Sequence, residues 1–159
     1  TYSCHWWNHL AFRVFRATIW LASVVIAFYP AAFEYLLPFE WLLIVPLQWS
    51  GAGFLLLGFA LAVGANFSLG KQWRSGIIDN HNHALIEHGL YSISRNPCYI
   101  GVAIAQVGFF LALPSLFSLT CLLVGLSALH KQTQLEEDFL NARYQERYLA
   151  YQHLVPRWL

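Results

Sequence analysis

Long apolar runs, separated by prolines and polar segments, constrain this chain more than any other feature of its sequence. Residues 10–29 and about 48–67 each have the length of about 20 residues that crosses a bilayer as a helix. Residues 98–113 and 115–129 are shorter and meet at Pro114, which predicts a tilted or partly shielded helical hairpin. Only 11% of the residues are charged, whereas roughly a quarter are charged in soluble domains. The sequence therefore predicts an all-α, polytopic membrane helical bundle with about four crossings.

The length of 159 residues suits one integral membrane domain covering residues 1–159. A net charge of +1 gives no reason to expect a nucleic-acid partner. The chain begins at Thr1 and contains no methionine, so we expect its natural start to be trimmed or altered. Residues 130–159 are polar again, and they predict a cytosolic C-terminal helix to about residue 151 that carries one polar stripe, namely His130, Gln134, Glu137 and Asn141.

The basic residues predict the orientation of the chain in the membrane. All nine fall in three places, none of them in residues 30–47 or 112–115: Arg13 and Arg16; Lys71, Arg74 and Arg95; Lys131, Arg143, Arg147 and Arg157. Four crossings put all three places on one side, which the positive-inside rule makes cytoplasmic. We therefore expect the N-terminus, the segment 83–101 and the C-terminus on the cytoplasmic side.

Histidines and cysteines give only weak indications of a metal site. His5 and His9 lie one helical turn apart near Cys4, and a second group consists of His81, His83 and His88. No carboxylate lies near the first group, and neither a cysteine nor a well-placed carboxylate completes the second, so no metal is expected. The three cysteines are too far apart in sequence to suggest a disulfide framework.

The polar segment 83–101 is the strongest candidate for a functional site. A loop between apolar helices has no structural need for so many hydrogen-bonding groups and rings. It follows the spacing H-x-L-x-x-x-G-x-Y-x-x-x-R-N-P-x-Y-x-G, in which the fixed residues are His83, Leu85, Gly89, Tyr91, Arg95, Asn96, Pro97, Tyr99 and Gly101. Nine positions at fixed spacing make a specific signal.

This motif resembles that of the isoprenylcysteine carboxyl methyltransferase and phospholipid methyltransferase family. The resemblance continues in the pair Glu136–Glu137 and in the tail Val155–Pro156–Arg157, and it covers about residues 69–159. It implies an integral membrane methyltransferase that uses S-adenosyl-L-methionine. The implied cofactor-binding residues are His83, Leu85, His88, Gly89, Tyr91, Arg95, Asn96, Pro97, Tyr99, Gly101, Glu136 and Glu137, and the implied catalytic residues are Arg95 and Glu137.

The residue types suit those roles. Arg95 can form a bidentate pair with a carboxylate of the cofactor or the acceptor. Glu137 can accept from the cofactor or pair with Arg95, and the rings of Tyr91 and Tyr99 can face adenine or a sulfonium. Asn96 stands where the family motif has histidine or asparagine, and it cannot carry a proton near neutral pH.

The acceptor is left open by the sequence. A lipophilic carboxylate of the isoprenylcysteine type is favoured, since it is ionised at neutral pH and needs no general base. A phospholipid amine and a small thiol are alternatives. A different class of function is a sterol reductase that uses NADPH, since such enzymes have a similar C-terminal membrane fold and an Arg-His-x-x-Tyr-x-Gly loop. A non-enzymatic membrane scaffold is the most distant alternative.

Overall fold

The structure, a computed structural model, describes residues 17–69 and 85–158. Within these ranges the structure is helical and has no strands. Its elements are α1 (Ala17–Phe28), two 3-10 turns (Pro30–Leu36 and Glu40–Leu42), α2 (Val45–Leu69), a 3-10 turn (Gly89–Ser92), α3 (Pro97–Ala112), α4 (Leu116–Tyr144) and α5 (Glu146–Leu154). The prediction of an all-α fold is confirmed for this part of the chain. The histidines of the two weak metal groups, except His88, lie outside the described residues, as do Cys4, Arg13, Arg16, Lys71 and Arg74.

α2 is long and apolar enough to cross a membrane, with 25 residues and a mean hydropathy of 1.8. It is the one helix among the described residues that meets both criteria, and α1 and α3 are shorter apolar helices. Only 11% of its most apolar stretch is buried, and Leu56, Phe59 and Phe67 are largely exposed. A core helix of a soluble protein would bury such side chains, so their exposure indicates a lipid-facing surface. The four predicted crossings remain a prediction.

α2 and α3 pack with their backbones in direct contact along a seam of small residues. Gly51 and Gly58 on α2 face Gly108 and Gly101 on α3. A Cβ atom added at Gly101 would lie 2.6 Å from the backbone nitrogen of Ala62, which is closer than real Cβ contacts occur. Small residues at such positions let membrane helices approach closely.

The α3–α4 hairpin turns at Pro114, as predicted. Ser115 caps α4 through a reciprocal pair of hydrogen bonds with Ser118, which satisfies two backbone groups at this buried end. On the same side, Phe39 N–H donates to the Pro114 carbonyl and Leu116 N–H donates to the Leu37 carbonyl. The connection between α1 and α2 therefore closes the bundle at the end opposite the polar segment.

The sequence predicts that an apolar helix ends at residue 129 and that a separate C-terminal helix begins at residue 130. This boundary is wrong. α4 continues through residue 130 to Tyr144, and the chain breaks at Gln145, which adopts φ 45°. No glycine or proline interrupts residues 126–144, so the helix continues although its composition becomes polar. The predicted polar stripe is also divided, because Glu137 is buried whereas His130 and Gln134 are exposed.

Candidate active site

The segment before α3 is folded tightly against α2. Gly89 has φ +65°, and a Cβ atom there would lie 2.9 Å from the Ser68 hydroxyl at the end of α2. The position therefore favours glycine for both its backbone conformation and its surroundings. The 3-10 turn that follows leads to Pro97, which begins α3 because its fixed φ suits the first helical turn.

Glu137 is the centre of the site and is only 4% exposed. Its carboxylate accepts from Asn96 Nδ2 at 3.1 Å and from Arg157 Nε at 3.1 Å and Nη2 at 2.8 Å. Arg95 Nη1 lies 3.5 Å from Glu137 Oε2. A buried carboxylate needs such partners to offset its desolvation, so this cluster joins α4, the start of α3 and the C-terminus. The hydrogen bonds with Glu137 also raise the pKa of Arg157 above its ordinary value.

The C-terminal tail, residues 155–158, is held against the segment before α3 by backbone contacts. Arg95 N–H donates to the Pro156 carbonyl at 3.0 Å, and the Ser94 hydroxyl donates to the Arg157 carbonyl at 3.0 Å. Ser94 Oγ also accepts from the Asn96 backbone N–H. The tail thus fixes both the backbone and the side chains on either side of Arg95.

An aromatic cluster on α5 supports the other side of the segment. Tyr148 and Tyr151 are buried with Leu85 and Val155, and the Tyr151 hydroxyl donates to the Tyr91 carbonyl. Burial raises the pKa of Tyr151 to about 12 and raises the pKa of Tyr91 further. Both phenols stay neutral well above physiological pH, and Tyr151 acts as a hydrogen-bond donor.

A second carboxylate lies beside the first but in a different environment. Glu136 is exposed, and its Oε2 accepts from the Tyr99 hydroxyl at 2.7 Å. Adjacent residues on a helix point in different directions, so Glu136 and Glu137 cannot have the same role. Glu137 is fully engaged by protein donors, whereas Glu136 remains accessible to solvent or a ligand.

The structure brings three of the twelve residues predicted for the site into direct contact, namely Arg95, Asn96 and Glu137. Tyr99 and Glu136 form a separate hydrogen-bonded pair beside them. Gly101 contributes to the seam with α2 rather than to this cluster, and His88 is exposed. His83 lies outside the described residues. Arg157 and Ser94 were not predicted as site residues, although the Val155–Pro156–Arg157 tail gave a signal for Arg157 in the sequence.

Two polar atoms near the cluster are buried and have no hydrogen-bond partner among the described residues. One is Arg95 Nε, a donor, and the other is Asn141 Oδ1, an acceptor one helical turn beyond Glu137 on α4. Buried polar groups in native proteins nearly always have a partner, so each such atom requires an explanation. A ligand acceptor would satisfy Arg95 Nε, and a ligand donor would satisfy Asn141 Oδ1.

Comparison with known proteins gives one result. A family model described as phospholipid methyltransferase matches residues 47–147, which is well over half of the chain. The match begins near the start of α2 and ends in α5, so it includes the segment before α3 and Glu137. No curated protein and no solved structure matches the chain.

Proposed function

The chain belongs to the phospholipid methyltransferase family, a family of methyltransferases, and from this premise we propose that it transfers a methyl group from S-adenosylmethionine to a lipophilic acceptor at a membrane surface. The single observation that carries the proposal is the contact of Arg95 and Asn96, at the start of α3, with the buried Glu137 of α4. These residues are far apart in sequence and meet at the end of an apolar helical bundle.

The residues of the site fit the amino-acid end of S-adenosylmethionine. That end carries a carboxylate and an ammonium group, which match the unpartnered donor Arg95 Nε and the unpartnered acceptor Asn141 Oδ1. The rings of Tyr91 and Tyr99 stand on the same segment and suit the adenosine or the sulfonium. When bound, S-adenosylmethionine supplies a methyl group activated by the positive charge on sulfur.

Each residue then has a distinct task. Arg95 binds the carboxylate, and it is held in place by Glu137 and by the tail. Glu137 acts as a positioning residue, since its oxygens already accept from Arg157, Asn96 and Arg95. The buried aromatic cluster excludes water from one side of the segment. Methyl transfer depends mainly on such positioning, and the alignment of the reactants supplies much of the rate.

We further propose that four helices cross the membrane and that the site lies on the cytoplasmic side. Arg95, Arg147 and Arg157 lie at the end of the bundle that holds Glu137. The opposite end, where residues 37–39 meet residues 113–116, carries no lysine or arginine. The positive-inside rule then assigns the arginine-rich end to the cytoplasm, where the cofactor is made.

A carboxylate of the isoprenylcysteine type is the favoured acceptor. Among the described residues of the cluster, Glu137 is fully engaged and cannot serve as a proton acceptor. A carboxylate is ionised at neutral pH and attacks without a general base, so it fits a site of this kind.

A phospholipid amine is the second candidate, and the exposed pair Glu136–Tyr99 favours it. An ammonium must lose a proton before it can accept a methyl group, and Glu136 is an accessible carboxylate beside the cluster. The dependence of rate on pH separates the candidates. Methylation of an amine rises with pH as the amine deprotonates, whereas methylation of a carboxylate stays level above about pH 6.

Labelled cofactor binding and turnover with a membrane lipid extract test the proposal. Arg95→Ala should weaken S-adenosylmethionine binding at least tenfold, the cost of about 1.4 kcal/mol expected for a lost charge-assisted hydrogen bond. Arg147→Ala is the matched control, because Arg147 forms an exposed pair with Glu87 away from Glu137. Binding of NADPH in place of S-adenosylmethionine would instead support a reductase, and unchanged binding in Arg95→Ala would reject the assigned site.

A further inference from the structure

The connecting segment between α1 and α2, residues 29–44, lies against the bundle without being buried in it. Neither of its 3-10 turns buries a residue, and the rest of the segment is also at least partly exposed. Two backbone hydrogen bonds tie it to the α3–α4 turn: Phe39 N–H donates to the Pro114 carbonyl, and Leu116 N–H donates to the Leu37 carbonyl. The segment therefore has an ordered backbone but no hydrophobic core of its own.

Large apolar and aromatic side chains of this segment are exposed. Tyr35 is 83% exposed and Trp41 is 77% exposed, and Leu37 and Ile44 are exposed as well. The ring centroids of Phe39 and Trp41 are 6.4 Å apart, a distance typical of paired aromatic rings. Contact of so many apolar side chains with water is unfavourable, and concentrations of this kind mark interaction surfaces.

Two other properties of the segment exclude the hydrocarbon interior of a membrane. Its backbone is not α-helical, and irregular backbone does not occur where lipid chains surround it, because its polar groups would lack partners. Glu34 and Glu40 are exposed, and a carboxylate among lipid chains is costly. The segment is thus too apolar for water and too polar for hydrocarbon.

The exposed rings continue from the segment onto both flanking helices. Phe28 ends α1 and Trp49 lies in the first turns of α2, and both are largely exposed. Further along α2, the exposed surface that includes Leu56 has the character of a lipid-facing one. Tryptophan and tyrosine concentrate where lipid chains give way to headgroups. The surface around the connecting segment is therefore the edge of the surface that faces lipid.

We propose that the connecting segment docks in the headgroup layer of the bilayer, at the end of the bundle opposite Glu137. The rings of Tyr35 and Trp41 lie about 5–10 Å into the boundary between headgroups and acyl chains, as in other interfacial elements, while Glu34 and Glu40 reach water. The segment then fixes the depth of α1 and α2. This inference shares the membrane setting of the proposed function, but it does not depend on methyl transfer.

Tryptophan quenching by spin-labelled lipids tests the inference on the full chain in phosphatidylcholine vesicles. The nitroxide is placed either on the headgroup or at the end of the acyl chain. The signal of Trp41 is the difference between the original chain and Trp41→Phe, which keeps an aromatic ring at this exposed position. This signal should lose more fluorescence to the headgroup nitroxide than to the chain-end nitroxide.

Leu56→Trp is the matched depth reference, because Leu56 is exposed and lies roughly 16 Å along α2 from Val45 at about 1.5 Å per residue. The fluorescence that this variant gains should show the reverse order and lose more to the chain-end nitroxide. If the chain-end nitroxide does not quench it, α2 does not cross the bilayer and the docking proposal falls with it.

Three results at Trp41 overturn the proposal. Quenching by acrylamide in the water phase but by neither lipid would place the segment in water. Stronger quenching by the chain-end nitroxide would place it among the acyl chains. Protection from all three quenchers would mean that a second copy or another protein covers it.

Binding of S-adenosylmethionine measured on the same samples separates this inference from the proposed function. Trp41→Phe should bind the cofactor as the original chain does, since the segment lies at the opposite end from Glu137. The expected depth order in a chain that does not bind S-adenosylmethionine supports the docking surface and rejects the proposed function. Normal cofactor binding without that depth order rejects the docking surface alone.

Discussion

Replacing Glu137 with glutamine should destabilise the protein far more than its isosteric shape suggests. Glu137 is 4% exposed, and it is the carboxylate partner of both Arg95 and Arg157. The Arg95 side chain is only 11% exposed, so the neutral variant leaves a cation buried without its counterion. Removing one member of a buried pair typically costs about 3–5 kcal/mol. The Arg157 side chain is more than a third exposed, so water can solvate its charge when the carboxylate is lost. We therefore expect the free energy of unfolding to fall by about 3 kcal/mol, the lower end of that range.

The assay is unfolding in mixed micelles with increasing denaturing detergent, followed by tryptophan fluorescence. Glu136→Gln is the matched control, because it makes the same change one residue away on an exposed side chain. Its hydrogen bond with Tyr99 is a surface interaction, so the control should lose less than about 1 kcal/mol. A double-mutant cycle of Glu137→Gln with Arg157→Gln should give a coupling of about 1–3 kcal/mol.

The reasoning fails if Glu137→Gln and Glu136→Gln lose similar amounts of stability, or if the cycle shows no coupling. Either result would mean that the arginines around Glu137 are satisfied by water or lipid headgroups. The carboxylate would then not be what joins the C-terminal tail to α3 and α4.

Three further perturbations follow from the structure. Gly58→Ala places a Cβ atom against the backbone of α3 and should lower the melting temperature by several degrees in a thermal scan, whereas Gly53→Ala, with open space at its Cβ, should not. Gln145→Gly relieves a left-handed φ and should raise stability by about 1 kcal/mol, and a loss would contradict the break between α4 and α5. Burial raises the pKa of Tyr151 to about 12, above the ordinary tyrosine value of about 10. The stability that the neutral Tyr151 contributes is therefore complete below about pH 10 and is lost as the pH rises towards 12. Tyr151→Phe should therefore show a smaller fall in melting temperature across that range, and an equal fall in both proteins would count against the burial of the Tyr151 hydroxyl.

The sequence was sufficient for the parts of the fold that local physics decides. Apolar runs predicted the helices, and Pro114 predicted the hairpin turn between α3 and α4. The break between α4 and α5 at Gln145 was harder to predict, because Gln145 is neither glycine nor proline. Its backbone conformation depends on the packing of α5. Likewise, the composition changes from apolar to polar near residue 130, but this change does not end α4. The residues on both sides of it are compatible with a helix.

The candidate site shows the same division between local and long-range information. The family spacing placed Arg95 and Asn96 on one segment, and it named Glu137 as a possible partner of Arg95. It did not predict that Arg157 and the tail backbone would complete the cluster, since this contact depends on where α5 directs the chain. Tertiary contacts of this kind have no period or motif in the sequence.

The glycine seam between α2 and α3 has a mechanical consequence. With no layer of side chains between the two backbones, neither helix can slide along the other without first separating from it. In the membrane arrangement proposed above, a change of bilayer thickness should tilt the pair as one rigid unit. The segment before α3 would then keep its depth relative to the end of α2, and the geometry around Arg95 should not change with bilayer thickness.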